Sequence, residues 1–511
     1  MSQLEVDKII PQSGTTLTLG DTGDTINFGS GVLPNFENLT VTGDLTVDTN
    51  SLKVDSTNNR VGIGTATPSV SLDVVGAITA SGNITGTLAT AAQTNITSLG
   101  TLTALTVNGN LSVDGGTIKL DGNYPTGTSN VALGDAALDD GSLSGGYNVA
   151  VGNAALGENE GGQENVAIGF NSLDANTSGS NNTGLGSQSL GGNTTASNNT
   201  AIGKNSLRAN TTAASNTAIG SCSLLTNTTG CFNVAVGASS LICNTEGSRN
   251  TAVGRQSLHC NTTGGFNTAI GLDSMYENTT GANNTAVGRS SMLCNTEGAS
   301  NVSVGEHALG RNTTADNNTA VGFNAMRCST EGQNNVAMGV CAMFCNTTAS
   351  SNIGIGRQAL YTNTTSVGNT ALGALALNLS TGANNTALGC GSLRNNSTGA
   401  NNAAVGFCSL NGNTTGSSNT ALGNNSMYQG TTTGDYNTMV GVNSGRKMTS
   451  GTQNTGMGVN SSELMTTGTN NTSFGMSSLG STTTGSCNTA FGHSALLSHT
   501  TGTRNTAVGN G

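Results

Sequence analysis

The side chains of this 511-residue chain that could do chemistry are 11 cysteines, four histidines and 27 carboxylates. Their spacing argues against most of that chemistry. No Cys-x-x-Cys pair occurs, and a structural zinc site needs four clustered ligands. His259, His307, His493 and His499 fall at unrelated places and form no ligand pair, so each reads as a solvated surface group. Glycan cleavage needs two carboxylates at a set separation, usually beside aromatic platforms. Here the acids are scattered through polar turns and aromatics are 3% of the chain. The Gly62 to Gly64 fragment is not followed by the strand, helix and acidic residue that a phosphate-binding loop requires. The expectation is a protein that is not an enzyme, with no catalytic residues, no metal and no cofactor.

Five of the cysteines, Cys243, Cys260, Cys294, Cys328 and Cys345, share one position of a repeat, the sixth after a recurrent glycine. Cys243 with Cys260, and Cys328 with Cys345, would fall on successive coils about 4.8 Å apart, a spacing that disulfide geometry permits. With no secretion signal visible, free thiols are expected. Thr226, Glu277 and Arg311 occupy the same position in other coils, which places it at or near the surface.

The repeat itself is carried by a more regular residue type. Asn, any residue, a small residue, an apolar residue and Gly recur as NVALG at 130–134, NTAIG at 216–220 and NTAVG at 284–288 and 505–509. There are 23 such glycines, and all but three of the 22 spacings equal 17. Asn stands four before every one of them, including Asn216, Asn233, Asn250, Asn267 and Asn284. A fixed short period is the signature of a solenoid, whose coils bury their apolar faces only by stacking. In such a stack the Asn column would form a structural ladder, its amides bonding to the coils above and below or capping a turn.

The elements that must position this column are short strands. Apolar and β-branched runs of about four to five residues are bounded by Gly, Asn, Ser and Thr, and no apolar stripe of period 3.6 survives so frequent a glycine. Two short strands and a turn per coil are expected. The apolar residue before each glycine (Ile219, Val236, Val253, Ile270) and the Leu or Met four after it (Leu224, Leu241, Leu258, Met275) would face inward. The Asn-Thr-Thr-Gly turns would face water. The Leu/Met position fails only after Gly441 and Gly458. The fold class is therefore all-β, a repetitive β-solenoid or parallel β-roll of about 17 residues per coil, with a stack of roughly 105 Å.

Composition excludes several partners. Charged residues are only 8%, the net charge is −11, and the pI is near 4.7, so no basic surface offers itself to nucleic acid or anionic lipid. No run of about 18 apolar residues exists, so no membrane insertion is expected. The opening MSQLEVDKIIPQSG lacks the apolar core of a signal peptide.

Three segments follow. Residues 1–36 lie outside the repeats and read as a docking segment, too small to hold a core alone. Residues 37–123 form a β-rich neck in which LTVTGDLTVD (39–48) returns as LTVNGNLSVD (105–114). Residues 124–511 are the solenoid array, ending within a coil at Asn510-Gly511 without a distinct tip; a tip from another protein or a removed C-terminal segment would account for that.

Val61-Gly62-Ile63-Gly64-Thr65 through Leu72-Asp73-Val74 resembles the VGIGT…P…LDV element common in bacteriophage and other viral tail-fibre proteins. The array resembles the head repeats of trimeric autotransporter adhesins, whose coils form a left-handed parallel β-roll with three chains about one axis. Its period is longer than the adhesin repeat, the extra residues falling in the Asn-Thr-Thr-Gly turn. The resemblance implies a homotrimer, and coil arithmetic agrees, because burying otherwise half-exposed Leu and Val against two further chains adds roughly 1.5–3 kcal/mol each. A monomeric solenoid is the alternative.

The leading expectation is a structural fibre of a virion, a phage tail fibre whose N-terminus binds a virion docking protein and whose shaft projects toward the host surface. A bacterial cell-surface adhesin is the alternative, and an ice- or surface-binding solenoid a further one, which would need a flat exposed Thr ladder. Contact with a host glycan or protein receptor would fall to variable residues beside the turn, Arg208, Tyr276, Phe344, Tyr361 and Tyr428, with Phe232, Phe266 and Tyr436 nearby.

Overall fold

A computed structural model describes residues 45–47, 52–76 and 128–511. The docking segment 1–36 and nearly all of the LTVTGDLTVD duplication lie outside the described residues. The chain divides into two compact units, 1–112 and 113–511.

In the first unit, β1 (Leu45–Val47), β2 (Leu52–Asp55) and β3 (Arg60–Ile63) are successively antiparallel, and β4 (Leu72–Val74) lies parallel to β3. Asp55 accepts from the backbone N–H of Thr57 and Asn58 and so closes the β2–β3 hairpin. Gly64 turns the chain at φ +79°. Arg60 then ties back to the Pro68 carbonyl at 3.0 Å, and the Ser69 N–H to Asp73 at 2.8 Å. The VGIGT-to-LDV phrase is thus one strand, a loop opened by Gly64, and a second strand laid parallel to the first.

The second unit is all-β, a β-solenoid with one three-residue strand per coil, from β5 (Val131–Leu133) to β27 (Thr506–Val508). Each strand pairs in parallel with the strands one coil before and after. Thr217, Ala218 and Ile219 face Val234, Ala235 and Val236 on one side and Thr200, Ala201 and Ile202 on the other. The second strand expected per coil is absent from the described coils. The Ser-Leu stretch is turn, because backbone there alternates into the left-handed region, with Cys222 at φ +59° and Leu224 at +49°. Phe232 (φ +60°) and the repeat glycine (Gly220, φ +133°) supply two more such corners, which lets a segment of about 17 residues close a full coil. The turns still bond coil to coil, for example Leu224 N–H to the Ser240 carbonyl at 3.0 Å and Thr228 N–H to the Thr245 carbonyl at 3.0 Å.

The repeat glycine is fixed for two reasons. Its φ is one that L side chains rarely adopt. In addition, a Cβ on Gly220 would stand 2.6 Å from the Gly237 carbonyl carbon and oxygen of the next coil.

The core is narrow. Ala at the strand centre (Ala201, Ala218, Ala235), Ser and Leu or Met after the glycine (Ser223, Leu224, Ser240, Leu241), and two Asn per coil are fully buried. The expected inward Ile and Val column faces the other way, with Ile219 38% and Ile270 40% exposed. Alternation along the strand requires this: once Ala points in, its neighbours on both sides point out. The Asn-Thr-Thr-Gly turn is also not wholly at the surface, since Asn227 is fully buried and Thr229 exposed.

Candidate functional site

The expected ladder residues Asn216, Asn233, Asn250, Asn267 and Asn284 are all buried and form one continuous column. From Asn216 to Asn284 the link runs from side chain to backbone, and farther along amide also bonds to amide, as Asn301 donates to Asn284 at 3.2 Å and Asn454 to Asn437 at 3.0 Å. The side-chain oxygen of each accepts the backbone N–H of the next, as Asn216 does from Asn233 at 2.9 Å and Asn267 from Asn284 at 3.0 Å. The amide nitrogen donates to a turn carbonyl in its own coil, Asn216 to Gly230 at 2.9 Å and Asn250 to Gly264 at 2.8 Å.

Sequence reasoning misses a second column. Asn227 donates to the Asn210 side-chain oxygen at 3.0 Å, Asn244 to Asn227 at 2.8 Å, and Asn261 to Asn244 at 2.7 Å. Each also donates to the carbonyl three positions on, as Asn227 does to Gly230 at 2.9 Å. The signal is the Asn opening the polar turn, whose regularity is broken at Ser329, Ser380, Thr432, Met448, Met465, Thr482 and His499.

Outside these ladders the strand presents a sheet face one strand wide. Its first column is Thr or a β-branched residue (Thr200, Thr217, Val234, Thr251, Thr268, Thr285), and its second is aliphatic (Ile202, Ile219, Val236, Val253, Ile270, Val287). The residue after the repeat glycine widens the apolar face in places, with Phe170, Leu272, Phe323, Val340 and Phe407 all exposed. The second column also carries aromatic stacking, Phe474 on Phe491 with ring centroids 4.9 Å apart.

Of the five candidate receptor residues only Phe344 and Tyr361 are brought together, and the others are spread along the stack. Arg208 and Tyr428 stand thirteen coils apart, or roughly 60 Å along the stack. Phe344 and Tyr361 stack on each other at 5.4 Å, and Tyr276 stacks on His259 at 4.6 Å. Those faces are turned along the stack toward neighbouring coils, which leaves ring edges toward solvent. Arg249 lies between Phe232 and Phe266, 5.7 and 5.1 Å from their ring centres, a cation–π sandwich. Arg208 borders a shallow polar cavity with Asp174 and Gln188. Burial, and then the nearby Glu158, push the Asp174 carboxyl up.

All eleven cysteines are free thiols. Burial raises the thiols of Cys243, Cys260, Cys294 and Cys345 and holds the His259 imidazole below its ordinary value. Among the described residues no group of three or more His, Cys, Asp or Glu is placed to hold a metal, and no helix is long and apolar enough to cross a membrane. No protein-family model, curated protein or solved structure matches this chain. The fold and the site define a parallel β-solenoid repeat protein with an exposed, partly apolar sheet face.

Proposed function

We propose that this chain is a structural, non-enzymatic shaft, a virion fibre of the tail-fibre kind that projects toward a host surface and assembles as a homotrimer. The observation that carries this reading is the outward strand face, where Ile219, Val236, Val253 and Ile270 form an aliphatic column on an uninterrupted stack of coils. A face about 10 Å wide and about 105 Å long offers ~1,000 Å² per chain, comparable with the roughly 800 Å² per partner of a stable interface. Identical coils in parallel register let every chain make the same contacts about a closed axis. Residues 1–36 are the proposed attachment point, and Arg208, Tyr276, Phe344, Tyr361 and Tyr428 remain proposed points of receptor contact. Solution mass measurement tests the assembly, with three times 50.6 kDa expected. A stable monomer would overturn it, and a chain lacking residues 1–36 that still joined a particle would overturn the attachment.

One observation favours a second reading, binding to an ordered solid surface such as ice. A Thr column does lie on the strand face in register, with Thr251 opposite Thr268 and Thr268 opposite Thr285. Ice-growth inhibition by the purified chain, lost on replacing those threonines by lysine, would select this reading over the shaft.

A further inference from the structure

Seven successive coils carry Cys243, Cys260, Glu277, Cys294, Arg311, Cys328 and Cys345 at one position. The column therefore holds two neighbouring pairs and one single thiol flanked by a carboxylate and a guanidinium. Backbone bonds fix the register of both pairs. Cys243 N–H donates to the His259 carbonyl at 3.1 Å and Cys260 N–H to Tyr276 at 2.9 Å; Cys328 N–H donates to Phe344 at 3.1 Å and Cys345 N–H to Tyr361 at 3.0 Å. All four side chains are free thiols in half-buried positions, close enough within each pair to feel one another's charge.

Side chains in register on successive coils stand about 4.8 Å apart. A disulfide needs its Cβ atoms roughly 3.8 Å apart and its sulfurs about 2.05 Å apart, so forming one would draw two hydrogen-bonded coils together. Two thiolates bound in line to one copper(I) ion need sulfurs two metal–sulfur bonds apart, roughly 4.3 Å, because two-coordinate bonds are shorter than the ~2.3 Å of four-coordinate zinc. That span is within side-chain adjustment of the coil spacing and needs no movement of the backbone. Zinc requires four ligands, whereas soft thiolate ligands select copper(I).

We propose that Cys243 with Cys260, and Cys328 with Cys345, form two dithiolate sites that each hold one copper(I) ion in two-fold coordination. Binding exchanges two S–H bonds for two metal–sulfur bonds and releases two protons to solvent, with no change in oxidation state. The bound unit carries one negative charge. At the first site the His259 Nδ1, 3.5 Å from the Cys260 sulfur, stands ready as a hydrogen-bond partner. Cys294 has the same place in the coil but no thiol on either side, so it serves as an internal control.

The test is anaerobic titration of the intact, reduced chain with copper(I) against excess bathocuproine disulfonate, a chelator that strips singly held ions. The proposal expects two coppers retained per chain, each with two sulfur neighbours by X-ray absorption. Cys260→Ser and Cys345→Ser should each remove one copper, the double variant both, and Cys294→Ser none. Thr226 and Thr362 occupy the same position in flanking coils, so a hydroxyl there is compatible with folding. Failure to retain copper, retention that survives Cys260→Ser, or an equal loss on Cys294→Ser would each overturn the proposal. So would closure of both pairs to disulfides on mild oxidation of a chain that never held copper.

Discussion

Asn216 and Asn227 donate to one acceptor, the carbonyl oxygen of Gly230, each at 2.9 Å. The two buried amides approach from the strand side and the turn side of a single coil and fasten its ends together. Their remaining atoms do different work. The Asn216 oxygen accepts a backbone N–H from the next coil, and the Asn227 oxygen accepts an amide that already has another partner, Gly247.

That difference ranks their substitutions. Asn216→Ala strands the buried Asn233 N–H and should cost roughly 1–3 kcal/mol. Asn227→Ala leaves the Asn244 amide bonded to Gly247 and should cost about 1 kcal/mol. Thr229→Ala, at the exposed turn, should fall within ~0.5 kcal/mol of zero. Hydrogen exchange at the Asn233 amide, together with urea unfolding, gives the comparison. Equal effects of the three would remove the special role of the invariant Asn.

The interruptions of the second ladder predict a gain. Where Ser329 replaces Asn, the Asn312 side-chain oxygen is buried without a partner, and the Asn346 amide, which donates to the Ala349 carbonyl at 3.1 Å, meets the Ser329 hydroxyl only at 3.4 Å. Ser329→Asn should restore both bonds and stabilise the chain by about 1 kcal/mol. A rise in the urea midpoint at unchanged slope is the expected result; a fall would mean the coil lacks room for the amide.

Gly220→Ala should be among the most damaging small substitutions. It adds one methyl at φ +133° and sets it 2.6 Å from the Gly237 carbonyl of the next coil. Strain and overpacking together should cost roughly 3 kcal/mol or more. Thermal unfolding measures it, and Ser221→Ala, at the adjacent exposed position, is the neutral comparison. A Gly220→Ala chain as stable as that control would show that neighbouring coils can part freely.

Much of this is legible in the sequence, because a coil stacked on copies of itself writes its geometry at a fixed period. The glycine spacing sets the coil length, and the unbroken Asn at 216, 233, 250 and 267 marks a buried position. Two things are hidden. A three-residue strand is too short for alternation to show, so the constancy of Ile219 and Val236 looks like burial when Ala218 and Ala235 are the inward residues. Left-handed backbone is not asked for by the side chains of Cys222, Leu224 and Phe232 themselves, and the Asn that recurs in the first and last of these columns, as at Asn205 and Asn283, is masked by its abundance throughout the repeat. The Ser-Leu run therefore reads as a second strand.

The two coils that lack Leu or Met at the fourth position after the glycine supply the last prediction. An ordinary coil buries Leu224 and Asn227, whereas the coil after Gly458 buries Ser462 and Met465. Gly445 and Met448 repeat the exchange one coil earlier. The long apolar side chain has moved three positions along the turn and displaced the amide, so the core keeps its volume and the ladder loses a rung. Gly445 itself has little freedom to grow, because a Cβ there would meet Met439 at 2.9 Å. Ser462 keeps the left-handed backbone of the Leu position, with φ +50°. Ser462→Leu alone should overfill the coil by roughly 1–3 kcal/mol, and Met465→Asn alone should leave a cavity costing about 2–4 kcal/mol. The double variant restores the ordinary pair, with the new Asn placed to donate to the Gly468 carbonyl, and should recover most of both losses. A double-mutant cycle in urea should therefore show a favourable coupling of about 2 kcal/mol or more. Additive losses would mean that the two positions fill separate spaces, and that the paired exchange in these coils is coincidence.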